Sequence, residues 1–483
     1  MRARVVTAVL VALAASALPL LHGLGFMSGF NTRPSPELAA RTTALPPAPA
    51  AATPAPGRVA VVIVDGLRAD KLPLLGLDLP ARCALETVLP SYSRPAYVAL
   101  STGVPPTLSG VHTNDHEGPA RLESIWDMAR RAGRPTHLVT DGIDWWLELF
   151  PDAFARADVV GKARFAAWFA AAPPPVPGEL LLLHIVAVDD DGHDFGGISP
   201  EYERSAIAAG AAIRQLIARL DLSRDVILVT ADHGHIDRGG HGGPEDAVMH
   251  IGLLAGGHGI APNPDCHGRL LDLPATVAAL LGLPPPAASI GAPLPLLDHP
   301  TLVPSAFAPL VPPPLRPLSW LGLALGLALF VAAFAAALAA ARGPDLGLLR
   351  RVSAGLAWPV VAVLTYLLLE PTLSLSAVWD EDPWTLHMAV AFALPALVVA
   401  AVVFFRLVPD PARALPLWAL GGLGPLAVAW GLHGALAAGP ELGEPHAAFG
   451  FIVADLIAAV GGAVGLLVAL GRALVLYRTR SAR

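Results

Sequence analysis

Three apolar runs, each stopping on an aspartate, dominate the hydrophobic pattern of this chain: VAVVIVD ends at Asp65, LLLLHIVAVD at Asp189 and VILVTAD at Asp232. Val, Ile and Leu without alternation predict strands buried on both faces, as in a parallel sheet. Sheets of that kind carry their sites where the strands end. Three carboxylates from distant parts of the chain are therefore expected on one rim. A fourth run, THLVTD, ends at Asp141 with no histidine nearby, so a turn or helix-capping role is expected there.

Between residues 58 and 298 such runs alternate with helical stretches, for example EYERSAIAAGAAIRQLIARL at 201–220. This alternation implies an α/β sandwich with a mainly parallel sheet. The last third has another character. Residues 319–341 form an apolar stretch long enough to cross a membrane as a helix, which takes about 20 residues. Four more follow near 352–369, 386–405, 415–438 and 447–470, and one lies near 5–26.

The expected organisation is a signal anchor over 1–30, a Pro/Ala-rich linker over 31–57, a catalytic domain over 58–298, a second linker over 299–317, and an all-α domain of about five membrane spans over 318–483. A cleaved signal peptide is the alternative for the first segment, because Ala15-Ser16-Ala17 resembles a cleavage site. Arginines mark alternate loops: Arg2 and Arg4, then Arg342, Arg350 and Arg351, then Arg406 and Arg413, then Arg472, Arg478, Arg480 and Arg483. The intervening loops are acidic, with Glu370, Asp380, Glu381 and Asp382 in one and Glu441 and Glu444 in the other. Cytoplasmic loops collect Lys and Arg, so a multi-pass cell-membrane protein with its catalytic domain on the extracytoplasmic side is expected. Asp455 and His433 fall in otherwise apolar spans, where an ionisable group faces a protein interior or a polar path.

A net charge of -7, with no basic patch, argues against a nucleic-acid partner. Cys83 and Cys266 both fall in the outer domain, where either a disulfide or two buried thiols would be compatible with the sequence.

Candidate chemistry clusters at the strand ends. Asp189 and His193 form D-x-x-G-H, where the glycine is expected to turn the chain sharply so that both side chains reach one ion. Asp232-His233-Gly234 repeats the idea in a tight loop, and His241 follows in GGHGG. Mixed imidazole and carboxylate ligands suit divalent metals of the zinc and manganese class, and paired ions can clamp a transferring phosphoryl group. The segment PSYSRPAYVALSTG at 90–103 supplies hydroxyls at Ser91 and Ser93 just before a helical stretch, whose positive end favours bound phosphate. His112, His116, His250 and His258 also lie in this domain, and His258 in GGHGI is the chief rival to His241.

With DGLRAD at 65–70, PSYSRPAYVALSTG at 90–103, D-x-x-G-H at 189–193, DHG at 232–234, GGHGG at 239–243 and LPATVAALLGLPPP at 273–286, the chain resembles the alkaline phosphatase superfamily. Within it, the chain resembles the type I phosphodiesterase/nucleotide pyrophosphatase group and especially the GPI ethanolamine phosphate transferases. The resemblance covers about 58–298 and implies an alkaline-phosphatase-like fold with two divalent ions, zinc or alternatively manganese. One ion would be held by Asp65, Ser93, Asp232 and His233, the other by Asp189, His193 and His241. Ser93 would be the nucleophile, with Ser91 the alternative, and Arg68, Arg94 and Asn114 would contact substrate. Many diesterase relatives carry threonine at the nucleophile and asparagine three residues later, whereas this chain has Ser93 and Ala96. That departure favours the transferase-like S-R-P pattern. Neither Cys83 nor Ser91 sits in a sulfatase motif.

The expected function is thus a membrane-anchored phosphotransferase or phosphodiesterase. It would act on phosphodiester-containing lipid or glycolipid substrates through a phosphoserine intermediate. A hydrolase using water as acceptor, and an inactive transport or scaffold protein, are the alternatives.

Overall fold

Eight strands make one sheet: β1 (Val59–Val64), β2 (Ala81–Glu86), β3 (Thr136–Thr140), β4 (Arg156–Val159), β5 (Leu180–Ile185), β6 (Val226–Thr230), β7 (His250–Gly257) and β8 (Asn263–Arg269), in the order β4-β3-β5-β1-β6-β7-β2-β8. The structure is a computed structural model. It describes residues 57–298 apart from 163, 164, 166, 167 and 170–175, together with helical positions 376, 397, 398, 401, 404, 418, 460, 461 and 463–471.

Only β7 runs against its neighbours β6 and β2; the other pairings are parallel. The α/β class and mainly parallel sheet expected from the pattern are therefore present. No residue of β1 is more than 3% exposed. Each such Val or Ile stabilises the fold by about 1.5–3 kcal/mol through burial, which is why this run has no polar position. In register, Val64 of β1 faces Ile185 of β5 and Ile63 faces Thr230 of β6, so the three runs end at one rim.

Helices form in the crossovers. Ser93–Thr102 starts after Tyr92 and stops at Gly103, whose φ of 71° suits a residue without Cβ. Pro200–Ile217 has Ser199 as N-cap, its side chain accepting from the Tyr202 N–H, and Pro200 at a position that needs no donor. Leu273–Leu281 packs on β1 and Ile125–Arg131 on β3. Asp141 accepts from the Val186 N–H at 2.7 Å, tying the end of β3 to the start of the helix Ala187–Phe195. At the far edge, Cys83 and Cys266 are register partners on β2 and β8 and form a disulfide, the pairing that the sequence leaves open.

These elements belong to one compact unit within Phe30–Pro312, and the described positions beyond it belong to a second. In that second unit Trp418 Nε1 donates to the Gly461 carbonyl at 2.8 Å, and Phe404 packs on its ring. The linkers over 31–57 and 299–317, the spans expected near 5–26 and beyond 319, Asp455 and His433 lie wholly or largely outside the described residues. Among the described residues no helix is long and apolar enough to cross a membrane.

Candidate metal centre

Each element delivers its groups to the rim differently. Asp65 follows β1 directly, and Asp232 and His233 stand in the loop after β6. Asp189 and His193 lie on the helix Ala187–Phe195 rather than on a sharp turn. Their four-residue spacing puts both on one helical face, so Gly192 is not needed to bend the chain. Its reason is space: a Cβ there would stand 2.5 Å from Nε2 of His235. Ser93 is the first residue of its helix, not the residue before it, and Tyr92 takes the capping position with extended backbone and no side-chain cap bond.

The expected ligands converge. Asp65, Asp232 and His233 offer atoms within 4.8 Å of one another, and so do Asp189, His233 and His241. His233 Nε2 is 3.2 Å from Asp232 Oδ2, 3.5 Å from Asp65 Oδ1 and 3.2 Å from Ser93 Oγ. His193 Nε2 lies 3.4 Å from Asp189 Oδ2 and 3.1 Å from His241 Nε2. The rings of His233 and His241 stack with centroids 3.8 Å apart.

The donor chemistry of this cluster fits cations. Nδ1 of His233 bonds the Gly234 carbonyl at 3.2 Å and Nδ1 of His241 bonds the Ser91 carbonyl at 3.0 Å. A carbonyl only accepts, so both rings carry their proton on Nδ1 and turn the Nε2 lone pair toward the carboxylates. Once the carboxylates are ionised, lone pairs face lone pairs. Asp65 Oδ1 and Asp232 Oδ2 are buried without a hydrogen-bond partner. Unsatisfied buried acceptors cost about 1–3 kcal/mol each, and a divalent cation would remove that cost.

Ionisation follows from the same crowding. Burial, then the charges of Asp65 and Asp189, pushes the Asp232 carboxyl well above the usual carboxylate range. Burial opposes ionisation of Asp189 as well, yet His193 and His235 outweigh it and hold that carboxyl well below the range. Burial lowers His233, and burial followed by His233 itself lowers His241 strongly. Neutral imidazoles beside a proton-holding Asp232 are the favoured charge state, ready to exchange that proton for a metal.

Three supporting groups have no counterpart in the motif reading. The Tyr97 hydroxyl donates to Asp65 Oδ2, and His184 Nε2 lies 2.9 Å from the same oxygen. Thr140 Oγ1 contacts His184 Nδ1 at 3.3 Å, and the Tyr97 ring stacks on Trp146 at 4.3 Å. His235, wholly buried, places Nε2 2.8 Å from Asp189 Oδ1. His184 sits inside an apolar run and Tyr97 inside a helical one, where either reads as core; His235 is only the second histidine of DHGH.

The serines divide cleanly. Ser91 Oγ donates to the Gly243 carbonyl at 2.8 Å and accepts from the Gly242 N–H at 3.0 Å, so it latches the loop that carries His241. Ser93 Oγ faces the cluster. Arg68 spends its guanidinium on Asp70 (2.9 Å), Asp237 (2.7 Å) and the His235 carbonyl (3.2 Å). Arg94 lies beside Ser93, 4.7 Å above the Trp145 ring, with Nη2 2.7 Å from Glu148 and Nη1 on the His116 carbonyl. Asn114 Oδ1 accepts from the Arg94 backbone N–H at 3.0 Å. His258 is remote: its N–H bonds the Asp225 carbonyl, at the opposite end of β6 from Asp232. His250 is exposed on the start of β7 and bonds the Asp246 carbonyl, and neither His112 nor His116 joins a candidate metal group among the described residues.

Comparison with known proteins agrees with the motif pattern. The family model for type I phosphodiesterase / nucleotide pyrophosphatase matches residues 148–239, a window that holds Asp189, His193, Asp232, His233 and His235. The human GPI ethanolamine phosphate transferase 3, catalytic subunit, is 28% identical over 282 residues, covering 48% of this chain and 25% of the relative. GPI ethanolamine phosphate transferase 2 of Eremothecium gossypii is 26% identical over 229 residues, covering 42% of this chain and 28% of the relative. The chain therefore matches about a quarter of the length of these curated relatives. Among solved structures, murine ectonucleotide pyrophosphatase / phosphodiesterase 5 aligns at 16% identity over 47% of this chain and 95% of its own, with a TM-score of 0.39. By its sequence matches the chain is similar to the type I phosphodiesterase / nucleotide pyrophosphatase family and to GPI ethanolamine phosphate transferases.

Proposed function

We propose that the domain transfers a phosphoryl-linked headgroup from a phosphodiester to an alcohol, with Ser93 as nucleophile. The observation that carries this reading is the position of Ser93 Oγ, 3.2 Å from His233 Nε2 at the start of the helix Ser93–Thr102. Asp65, Ser93, Asp232 and His233 would hold one divalent ion, and Asp189, His193 and His241 a second, zinc or manganese by ligand type. Bound there, such ions supply positive charge where phosphoryl oxygens gather negative charge.

The residues supply the remainder. The Ser93 oxygen forms a bond to phosphorus as the bond to the first alcohol breaks, and that alcohol leaves with a proton. A second alcohol then takes the phosphoryl group from Ser93, whose hydroxyl is restored. The positive end of the helix dipole favours the phosphate next to Ser93.

A lipid or glycolipid substrate at the outer face of a membrane is part of the proposal. Its support is the run of apolar spans and arginine-marked loops in the sequence. The Cys83–Cys266 disulfide also suits an oxidising, extracytoplasmic compartment.

The test is metal content and phosphodiester turnover of the purified protein, wild type against Ser93→Ala and Asp189→Ala. Ser93→Ala should keep metal and lose turnover, and Asp189→Ala should lose metal as well. Release of a free phosphorylated headgroup with no modified acceptor would assign the water-using hydrolase. A wild-type protein that holds no metal would support an inactive scaffold.

A further inference from the structure

We propose that His235 is a positioning residue for the second metal ligand set, donating from Nε2 to Asp189 Oδ1, and is not itself a ligand; this rests on the metal-centre reading above. Proximity alone would make it a ligand, since its ring atoms lie within 4.8 Å of those of Asp189 and His193. The hydrogen bonds decide otherwise. The Gly240 backbone N–H donates to His235 Nδ1 at 3.1 Å. A ring nitrogen that accepts from an amide carries no proton, so the proton of this imidazole is on Nε2. That N–H points at Asp189 Oδ1, 2.8 Å away, and leaves no lone pair for a cation. His233 and His241 are the reverse, with Nδ1 on backbone carbonyls and Nε2 turned inward.

The surroundings are shaped around this ring. A Cβ on Gly66 would stand 2.8 Å from His235 Nε2, and one on Gly192 would stand 2.5 Å from it. Both glycines, in DGLRAD and D-x-x-G-H, clear room for an imidazole at this position. Arg68 Nη1 holds the His235 carbonyl from the other side at 3.2 Å. His235 thus fixes one Asp189 oxygen as a bond acceptor and leaves Oδ2 for His193 and the ion.

The experiment compares full-length wild type, His235→Phe and His235→Gln for zinc retained under graded chelator, with zinc X-ray absorption to count imidazoles. Phe keeps a ring of similar size but donates nothing, whereas a glutamine amide can still donate to Asp189. Zinc affinity at the Asp189 ligand set should fall about 10–100-fold in His235→Phe, as for other partners of ligating groups, with the greater part restored in His235→Gln. The imidazole count at zinc should be the same in wild type and His235→Gln. Unchanged affinity in His235→Phe, or one imidazole fewer in His235→Gln, would overturn the assignment. A wild-type chain that retains no zinc or manganese would instead remove the metal-centre reading, and the inference with it.

Discussion

The backbone carbonyl of Ser91 accepts a hydrogen bond from Nδ1 of His241 at 3.0 Å, while the Ser91 hydroxyl bonds both Gly243 and Gly242. Two residues apart, Ser91 therefore holds the loop of one candidate ligand and Ser93 faces the cluster. Ser91→Ala keeps the carbonyl but loses both hydroxyl bonds, which should cost about 1–3 kcal/mol and lower the melting temperature by several degrees. Turnover of the surviving folded protein should persist. Ser93→Ala should melt normally and lose turnover by a factor on the order of 10³ or more. Melting curves with phosphodiester kinetics on both variants decide the nucleophile, and the opposite pattern would move it to Ser91.

Tyr97→Phe removes a donor to Asp65 Oδ2 and leaves the ring stacked on Trp146. Packing is kept, so stability should change little. Metal affinity at the Asp65 set should drop about tenfold, because groups that orient a ligating carboxylate carry that much of the binding. His184→Ala should act on the same oxygen, and the double variant should lose less than the sum of the two. Chelator competition on the three variants measures this; strict additivity would show that the two groups do not share one task.

How far the sequence reveals this site depends on which physical signal each residue leaves. Asp65, Asp189 and Asp232 are legible because a carboxylate ending a run of buried aliphatics has only solvent or a site to face, and the parallel register of β1, β5 and β6 carries all three to one rim. Ser93 and His241 are legible through their motifs. His184 and Tyr97 are not, since each is a single polar group in a stretch whose period already explains it as core. The reversed direction of β7 is equally silent, because a strand buried on both faces looks the same whichever way it runs. The D-x-x-G-H segment misleads most: glycine there suggests a turn, whereas the helix persists and the glycine answers to a ring from another loop.

Arg68 and Arg94 separate by what their guanidinium groups already hold. Arg68 is paired with Asp70 and Asp237, whose side chains are 55% and 70% exposed, and with the His235 carbonyl. The exposed ion pairs contribute about 0–1 kcal/mol each, and the charged bond to the buried carbonyl about 1.5–3 kcal/mol. Arg68→Ala should therefore lower the melting temperature by several degrees and leave KM for a phosphodiester nearly unchanged. Arg94 also holds Glu148 and the His116 carbonyl, but its buried Nε has no hydrogen-bond partner and the residue adjoins Ser93; Arg94→Ala should raise KM several-fold, because a planar cation next to the nucleophile suits phosphate oxygens. Steady-state kinetics on the two variants test the contrast, and a KM effect confined to Arg68→Ala would reverse the roles.

The disulfide joins β2 to β8 across a sequence separation of 183 residues. Closing so long a loop restricts the unfolded chain, and replacing Cys83 and Cys266 together by alanine should cost about 2–5 kcal/mol. Both cysteines are buried, so a reductant should leave the folded protein intact and lower its melting temperature only as the chain opens. Thermal melts with and without reductant, on wild type and the double variant, give the answer. Equal melting in all four samples would mean that the bond adds nothing to stability.

Metal binding should depend on pH in a direction set by Asp232. Its folded carboxyl titrates well above the unfolded value, chiefly through burial and then the charges of Asp65 and Asp189. A group raised in this way favours the metal-free fold at low pH, and that contribution is lost as pH rises through the raised value. His233 and His241 are lowered by burial, so they are neutral and able to ligate over the same range. A divalent ion must displace the Asp232 proton, so its apparent affinity should rise about tenfold per pH unit until that carboxyl is ionised, then level off. The gain in melting temperature on adding zinc or manganese should grow with pH in step, about 2.7 kcal/mol of stabilisation appearing when free metal reaches 100 times the dissociation constant. Calorimetric titrations in buffers of different ionisation enthalpy would count the released proton. Asp232→Asn, with no proton to give up, should bind metal weakly and with little pH dependence, and a wild-type affinity that is flat with pH would refute the assigned charge state.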